Sequence, residues 1–380
     1  MFDEIVQFIR KIFNTTESIP LHEPRFIGNE KKYLNECIDS TYVSYVGAFV
    51  EKFENMVKDF TNSRFAVSTA NGTLALHLAL LTIGVRPGEE VITQPLSFVA
   101  TANAISHCGA NPVFVDCDRE TLGMSHEKLK EFLDKNTLLK DDGCCYNKNT
   151  GRRIAACVPV HIFGHPVNIK VIKESCRSHD IYVVEDAAES LGSFFDNQHT
   201  GTFAHIGILS FNGNKIVTTG GGGMVLTDDE RLAQRARHIA TTAKKIHKWE
   251  FIHDEIGYNY RMPNVNAAIG CAQMEKLHFF LKNKRELAMI YKEFFEHIGV
   301  EYFSERKRCN SNYWLNTIIL KDRMQRDAFL DFAHKNGIMS RPAWTLLNKL
   351  PMYKDCEATD LEHARWLEDR IVNLPSSVRV

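Results

Sequence analysis

Between residues 205 and 224, Lys215 is the single Asp, Glu, Lys or Arg, set in the run Ile208-Leu209-Ser210-Phe211-Asn212-Gly213-Asn214-Lys215 ahead of Thr218-Thr219-Gly220. A surface lysine usually stands among other charges. One placed just behind a buried strand loses hydration, which lowers its pKa and makes the amine a better nucleophile toward a carbonyl. The same pattern also fits a lysine that snorkels at a loop edge. A second candidate, Asp186, ends the apolar run Ile181-Tyr182-Val183-Val184-Glu185-Asp186. Open α/β sheets bind ligands at the carboxyl ends of their strands. A carboxylate there can hold a cationic ring nitrogen by a charge-assisted hydrogen bond, or cap a following helix. The third segment is Ser68-Thr69-Ala70-Asn71-Gly72-Thr73. It reads as a strand, a small polar turn and a helix start. Backbone N–H groups at Gly72-Thr73, with the Thr73 hydroxyl, suit a phosphate, although an ordinary N-cap has the same signature.

Each segment has a bland reading, but the set is more specific than its members. Lysine, aspartate and anion-binding helix start are the parts that hold pyridoxal 5′-phosphate: one forms the Schiff base, one keeps the pyridine nitrogen protonated, one takes the phosphate. Other signatures fail. There is no G-x-x-x-x-G-K-[ST] phosphate loop, and Gly220-Gly221-Gly222-Gly223 leads into a strand, whereas a dinucleotide fingerprint opens a helix. Cys157, His161 and His165 lie on or next to one strand with no further Cys pair to complete a zinc set, so no metal is expected.

The elements that must carry these residues alternate along the chain. Strands are expected over 64–68, 90–93, 111–115, 154–160, 180–185, 206–211 and 223–226, with helices over 73–83, 99–107, 125–133, 168–177 and 229–239. Alternation of this kind argues an α/β fold with a mostly parallel central sheet and helices on both faces. The polar stretch 134–153 is expected to be a surface excursion. After Met262 the texture changes to a long helical region over 264–298, broken near Asn283, then a strand at 316–321, a helix at 324–336 and a strand at 338–341. The expected division is therefore 1–255, an N-terminal segment plus a large α/β domain, and 256–380, a smaller α+β domain.

The chain has 380 residues, 44% hydrophobic and 24% charged, with 46 Lys+Arg against 47 Asp+Glu. That balance is the one of a soluble globular protein and argues against a nucleic-acid or anionic-membrane partner. Residues 65–85 and 91–115 lack charge, but Thr, Asn, Gly, Gln and Pro interrupt both, so neither reads as a membrane span. Phe2, Ile5, Val6, Ile9 and Phe13 recur at helical spacing among charged residues, which predicts an amphipathic helix rather than a signal peptide. The 10 cysteines form no regular framework, and a reducing cytoplasm is expected.

The sequence resembles the fold-type I sugar aminotransferases of the DegT/StrS type over nearly its whole length. The likeness rests on Tyr42-Val43-Ser44, Ala70-Asn71-Gly72-Thr73, Ser97-Phe98-Val99-Ala100-Thr101-Ala102-Asn103, Pro159-Val160-His161, Glu185-Asp186-Ala187-Ala188-Glu189, Ser210-Phe211 with Lys215, Gly257-Tyr258-Asn259-Tyr260-Arg261-Met262 and Ser340-Arg341-Pro342. Leu21-His22-Glu23-Pro24-Arg25-Phe26, Thr218-Thr219-Gly220-Gly221 and Ala343-Trp344-Thr345 are similar to the 4-aminotransferases of legionaminic-acid and bacillosamine pathways.

The resemblance implies roles. Lys215 is the Schiff-base lysine and proton shuttle, Asp186 pairs with the pyridine nitrogen, Phe98 stacks on the ring and Glu189 contacts its hydroxyl. Gly72, Thr73 and Ser210 bind the phosphate, and Asn259 reaches in from the partner of a homodimer with a shared active site. The implied reaction moves an amino group from L-glutamate to C4 of a nucleotide-linked 4-keto-6-deoxy sugar. UDP-2-acetamido-2,6-dideoxy-4-ketohexose is the expected acceptor, and GDP- or dTDP-linked ketosugars are the alternatives. Lys215 argues against a related sugar dehydratase, which has His there, and no cofactor residue is lost as a non-catalytic relative would require. A nicotinamide-dependent oxidoreductase lacks its fingerprint. Two positions depart from the family pattern: Gly221 replaces the usual Glu, and Asn348 replaces a His found in many relatives.

Overall fold

The computed structural model describes residues 1–379. Three helices precede the main sheet: α1 (Phe2–Phe13), α2 (Glu30–Asp39) and α3 (Ala48–Thr61). The sheet has seven strands: β1 (Phe65–Thr69), β2 (Glu90–Thr93), β3 (Asn111–Phe114), β4 (Ile154–Val158), β5 (Tyr182–Asp186), β6 (Ile206–Ser210) and β7 (Gly223–Thr227). Their order is β1-β7-β6-β5-β4-β2-β3, and only β7 runs against the rest, pairing antiparallel with both β1 and β6. The crossovers contain α4 (Gly72–Thr82), α5 (Ala100–His107), α6 (His126–Asn136) and α7 (Ile169–Arg177), and α8 (Glu230–Ala240) follows β7. Every strand and helix expected in this half is present, with ends shifted by a few residues.

Period-two alternation divides each strand between two apolar layers. Val91, Val158, Val184, Ile208 and Val225 face the layer of α4, α5 and α8. Their neighbours Ile92, Cys157 and Val183 face α6 and α7, while Leu209, Met224 and Leu226 face α3. Burial on both faces explains why these strands read as continuous apolar runs. The polar excursion forms a two-stranded hairpin, Thr137–Leu139 with Cys145–Asn147.

Two helices, α9 (Asn264–Met274) and α10 (Leu277–His297), follow the large sheet. The break falls at Glu275-Lys276, not near Asn283. Asn283 stays helical because its amide is used elsewhere, exchanging two 2.9 Å hydrogen bonds with the backbone of Arg379. Leu277 and Leu281 of α10 pack in the large core, whereas Leu287, Tyr291 and Phe295 pack in the small one. The small sheet contains β8 (Glu301–Tyr302), β9 (Asn316–Ile319), β10 (Arg341–Pro342) and β11 (Ile371–Leu374), in the order β8-β9-β11-β10. Of the strand expected at 338–341, only the end joins this sheet; Ile338 instead makes an isolated bridge to Ile19. α11 (Arg323–Lys335) covers the sheet, and the amphipathic α1 buries Ile5, Val6 and Ile9 against Phe329 and Tyr291. Two packing relations therefore cross the 255/256 division: α1 lies in the small core, and Ala267 and Cys271 of α9 lie in the large one. Among the described residues, no helix is long and apolar enough to cross a membrane.

Candidate active site

The carboxyl ends of β1, β4, β5 and β6 open into one cavity of about 780 Å³, closed on the far side by Leu21, His22, Trp314, Arg341, Trp344 and Asn373. Seven of the eight site residues expected from the sequence line it: Gly72, Thr73, Phe98, Asp186, Glu189, Ser210 and Lys215. The eighth, Asn259, does not. It is exposed, and its backbone forms an isolated antiparallel bridge to Thr241.

At the start of α4 the two readings of the Gly72-Thr73 turn turn out to be compatible. Asn71 is the N-cap, its Oδ1 accepting from Leu74 N at 2.9 Å, while Ala75 N reaches Asn71 O. The N–H groups of Gly72 and Thr73 then have no partner among the described residues and are available to an anion, at the positive end of the helix dipole. Gly72 is required by close approach. A Cβ there would stand 2.8 Å from Cβ of Ser210 and 3.0 Å from its Oγ. The glycine therefore brings the helix start and the Ser210 hydroxyl to one point.

Asp186 ends β5 and is buried. Its Oδ2 accepts from Thr101 Oγ1 at 2.9 Å, and its Oδ1 from Ala188 N at 3.2 Å. Burial raises its pKa, opposed by these hydrogen bonds and by the Lys215 charge. A cationic donor in the cavity would favour the ionised form further. Phe98 presents its ring to the opening and is 53% exposed although large and apolar, which suits a face that a flat ligand covers.

The Lys215 side chain is largely enclosed, 13% exposed, and this desolvation lowers its pKa against the pull of Glu189 and Asp186. Its Nζ lies 3.6 Å from Glu189 Oε1 and 3.8 Å from the centroid of the Trp314 ring. The indole N–H of Trp314 donates to Asn214 O at 2.7 Å, which ties the ring to the lysine's own loop. Glu189 Oε2 accepts from Phe163 N at 2.8 Å, and burial pushes its pKa up to about 7. Phe163 delivers that N–H from a left-handed conformation, φ 54°, uncommon for a side chain of its size. Behind it, the buried Glu185 accepts from Gly201, Phe203 and Ala204 N–H groups and faces His161 Nε2 at 3.0 Å.

The three residues weighed as a zinc set have other surroundings. Cys157 Sγ contacts Met124, His161 faces Glu185, and His165 is wedged edge-on between Phe303 and Tyr313. Asn348 does not line the cavity. Thr101, Trp314, Trp344 and Arg341 were given no role from the sequence. Trp314 and Trp344 carried one available signal, since the chain has only 4 Trp and two of them wall this cavity.

The residues present fit pyridoxal 5′-phosphate. A glycine-dependent anion cradle, a buried carboxylate, an uncovered aromatic ring and an amine whose pKa desolvation lowers surround a single space. The sequence profile of the DegT/DnrJ/EryC1/StrS aminotransferase family matches residues 24–380. The chain belongs to this family. It is 38% identical over 360 residues to a GDP-perosamine synthase of Escherichia coli O157:H7, covering 94% of this chain and 93% of the relative. It is 34% identical over 340 residues to a Bacillus subtilis protein described as a pyridoxal phosphate-dependent aminotransferase, EpsN, with 89% and 84% covered. Among solved structures, the aminotransferase TlmJ of Streptoalloteichus hindustanus superposes with a TM-score of 0.85 at 28% identity, over 94% of this chain and 93% of that one. The enzyme is a pyridoxal phosphate-dependent aminotransferase, and its fold is that of the family.

Proposed function

We propose that the enzyme transfers the amino group of L-glutamate to C4 of a nucleotide-linked 4-keto-6-deoxy sugar. The observation that carries this reading is the meeting of Lys215, Asp186 and the free N–H groups of Gly72 and Thr73 in one cavity of about 780 Å³, room for a cofactor and part of a sugar nucleotide. Bound there, pyridoxal 5′-phosphate supplies an electron sink and a carbon that carries the amino group between two substrates. Gly72, Thr73 and Ser210 hold its phosphate, Asp186 holds the proton on its ring nitrogen, Glu189 meets its hydroxyl and Phe98 covers a face. Lys215, favoured in the neutral form by burial, takes the proton from Cα of the amino donor and returns protons in the second half of the cycle. Arg341 lines the same cavity and is suited to a donor carboxylate. Asn259, exposed in the single chain, completes the phosphate site of a partner in a cytoplasmic homodimer.

GDP-linked sugars are the acceptors best supported, because the relative at 38% identity is a GDP-perosamine synthase. A UDP-linked 2-acetamido sugar is the second reading. It is favoured by His22 and Trp344, which belong to segments similar to the legionaminic-acid and bacillosamine enzymes and both line the cavity.

The test is the visible absorbance of the purified protein with pyridoxal phosphate. A yellow band that L-glutamate bleaches without sugar, and that Lys215→Ala lacks, is expected. GDP-, UDP- and dTDP-linked 4-keto sugars are then compared for restoring it. A protein that stays colourless, or a band that ignores glutamate and every ketosugar, overturns the reading.

A further inference from the structure

Two hydroxyls connect the start of α5 to Asp186. Thr101 Oγ1 donates to Asp186 Oδ2 at 2.9 Å, and Ser97 Oγ lies 2.9 Å from the same Thr101 oxygen. Both residues are buried and both line the cavity. A helical threonine can return its hydroxyl to a carbonyl one turn back; Thr101 directs its proton across to the end of β5 instead. A hydroxyl has one proton to give. An ionised Asp186 only accepts, so the Thr101 proton is committed to it and the Ser97 proton points to Thr101. The chain of bonds therefore runs one way, from Ser97 through Thr101 to Asp186, and each bond polarises the next. Burial raises the Asp186 pKa, and the Thr101 hydrogen bond is the largest influence against it. Phe98, the ring at the cavity opening, lies within the same segment.

We propose that Thr101, backed by Ser97, is a positioning residue that holds the Asp186 carboxylate as an acceptor for the ring nitrogen of pyridoxal phosphate. The proposal rests on the reading of Asp186 as the partner of that nitrogen. A carboxyl that is neutral, or turned aside, leaves a cationic ring nitrogen without its anion. With Thr101 bound to one oxygen and Ala188 N to the other, the carboxylate keeps both its charge and its direction. One short segment thus covers the ring face through Phe98 and fixes, through Thr101, the group that meets the ring nitrogen.

The test compares calorimetric binding of pyridoxal phosphate and of its 1-deaza analogue, in which a C–H replaces the ring nitrogen, to cofactor-free protein. Thr101→Val keeps the shape and removes the hydroxyl, and Thr101→Ser restores it. The parent is expected to prefer pyridoxal phosphate. In Thr101→Val that preference should fall about tenfold, the scale of one hydrogen bond to a charged group, with affinity for the analogue within about twofold of the parent's. Thr101→Ser is expected to recover most of the preference, and Ser97→Ala to lose a smaller part, about twofold. Denaturant unfolding gives a second readout. The stability deficit of cofactor-free Thr101→Val should narrow from about pH 7 to about pH 5, because Asp186 without its donor takes up a proton at higher pH than in the parent. A preference that survives intact in Thr101→Val overturns the proposal alone. Equal losses for both ligands, a serine variant no better than valine, or a deficit that is the same at both pH values overturn it too. A parent that binds the two ligands equally overturns the role of Asp186 together with the proposal, and one that binds neither overturns the functional reading as well.

Discussion

Nζ of Lys215 stands 3.6 Å from Oε1 of Glu189, and each group restrains the other's response to burial. Burial alone drives the lysine toward its neutral amine and the glutamate toward its neutral acid; their attraction opposes both shifts. The pair therefore shares its charge state, with Glu189 titrating at about 7. Glu189→Gln removes the largest influence that keeps the lysine protonated, leaving Asp186 as the other. The Lys215 pKa is expected to fall further. In cofactor-free protein, the rate of Lys215 labelling by an amine-directed reagent, followed by peptide mass against pH, should show its midpoint displaced to lower pH. A midpoint that stays put or rises would show that the two groups are not coupled.

Asp186 is buried and bonded at both oxygens by Thr101 and Ala188, so its position does not depend on a ligand. Asp186→Asn keeps a similar shape and can still accept from Thr101, but it cannot stabilise a cationic ring nitrogen. Turnover is expected to fall by about 100-fold or more, the scale on which one preorganised electrostatic contact acts. Thermal stability should fall modestly, because the Asn NH2 then faces the Ala188 N–H and leaves that donor without its acceptor. Stopped-flow bleaching with glutamate checks the first statement and calorimetric melting the second.

The Gly72–Ser210 approach gives a steric prediction with an internal control. In Gly72→Ala the new Cβ meets Ser210 Cβ at 2.8 Å, between a helix start and a strand end that are both fixed by backbone bonds. Displacing them is expected to destabilise the protein by about 1–3 kcal/mol, as overpacking does, and to weaken pyridoxal phosphate binding about tenfold or more because the cradle itself moves. In Gly221→Ala the nearest atom is Ala70 O at 3.5 Å, an ordinary contact. Cofactor titration by absorbance should separate the two variants clearly. Equal affinities would mean that the helix start does not carry the phosphate.

These contrasts mark what a sequence can and cannot disclose. Lys215 was legible because charge is absent around it, and Asp186 because a run of apolar residues buried on both faces ends at it. Strand alternation in Val183-Val184 and Leu209-Ser210 is local, so the large sheet followed from pattern alone. The small sheet did not. β11 is four residues long and acquires its place only by pairing with β9 and β10, from distant parts of the chain. Asn283 looked like a helix breaker because Asn is a poor helix former, but its amide holds the backbone of Arg379, a partner 96 positions away. Trp314 and His22 reach the site from opposite ends of the sequence through the C-terminal strand, and no local pattern reports that meeting.

Lys284 offers a pH prediction at a site remote from the cofactor residues. It is wholly buried in α10, and its Nζ donates to Trp314 O at 3.1 Å and to Ser376 O. Burial lowers its pKa to about 7, although the two carbonyls favour the charged form. In the unfolded chain a lysine titrates near about 10.4. Between about pH 7 and 10 the unfolded chain therefore holds a proton that the folded chain has released, and this group makes stability rise with pH across that window. Below about pH 7 both states are charged and the burial penalty is complete. Lys284→Met removes the ionisation and leaves both carbonyls unpaired, a loss of about 1–3 kcal/mol for each. The stability gap between parent and variant should therefore widen from pH 7 to pH 9. Denaturant unfolding of both proteins at the two pH values measures it. A gap that is constant or narrows would mean that Lys284 stays charged in the fold, held so by the Trp314 and Ser376 carbonyls. With Trp314 O released, the ring over Lys215 should also loosen, and the visible band of the loaded variant should shift in its pH midpoint.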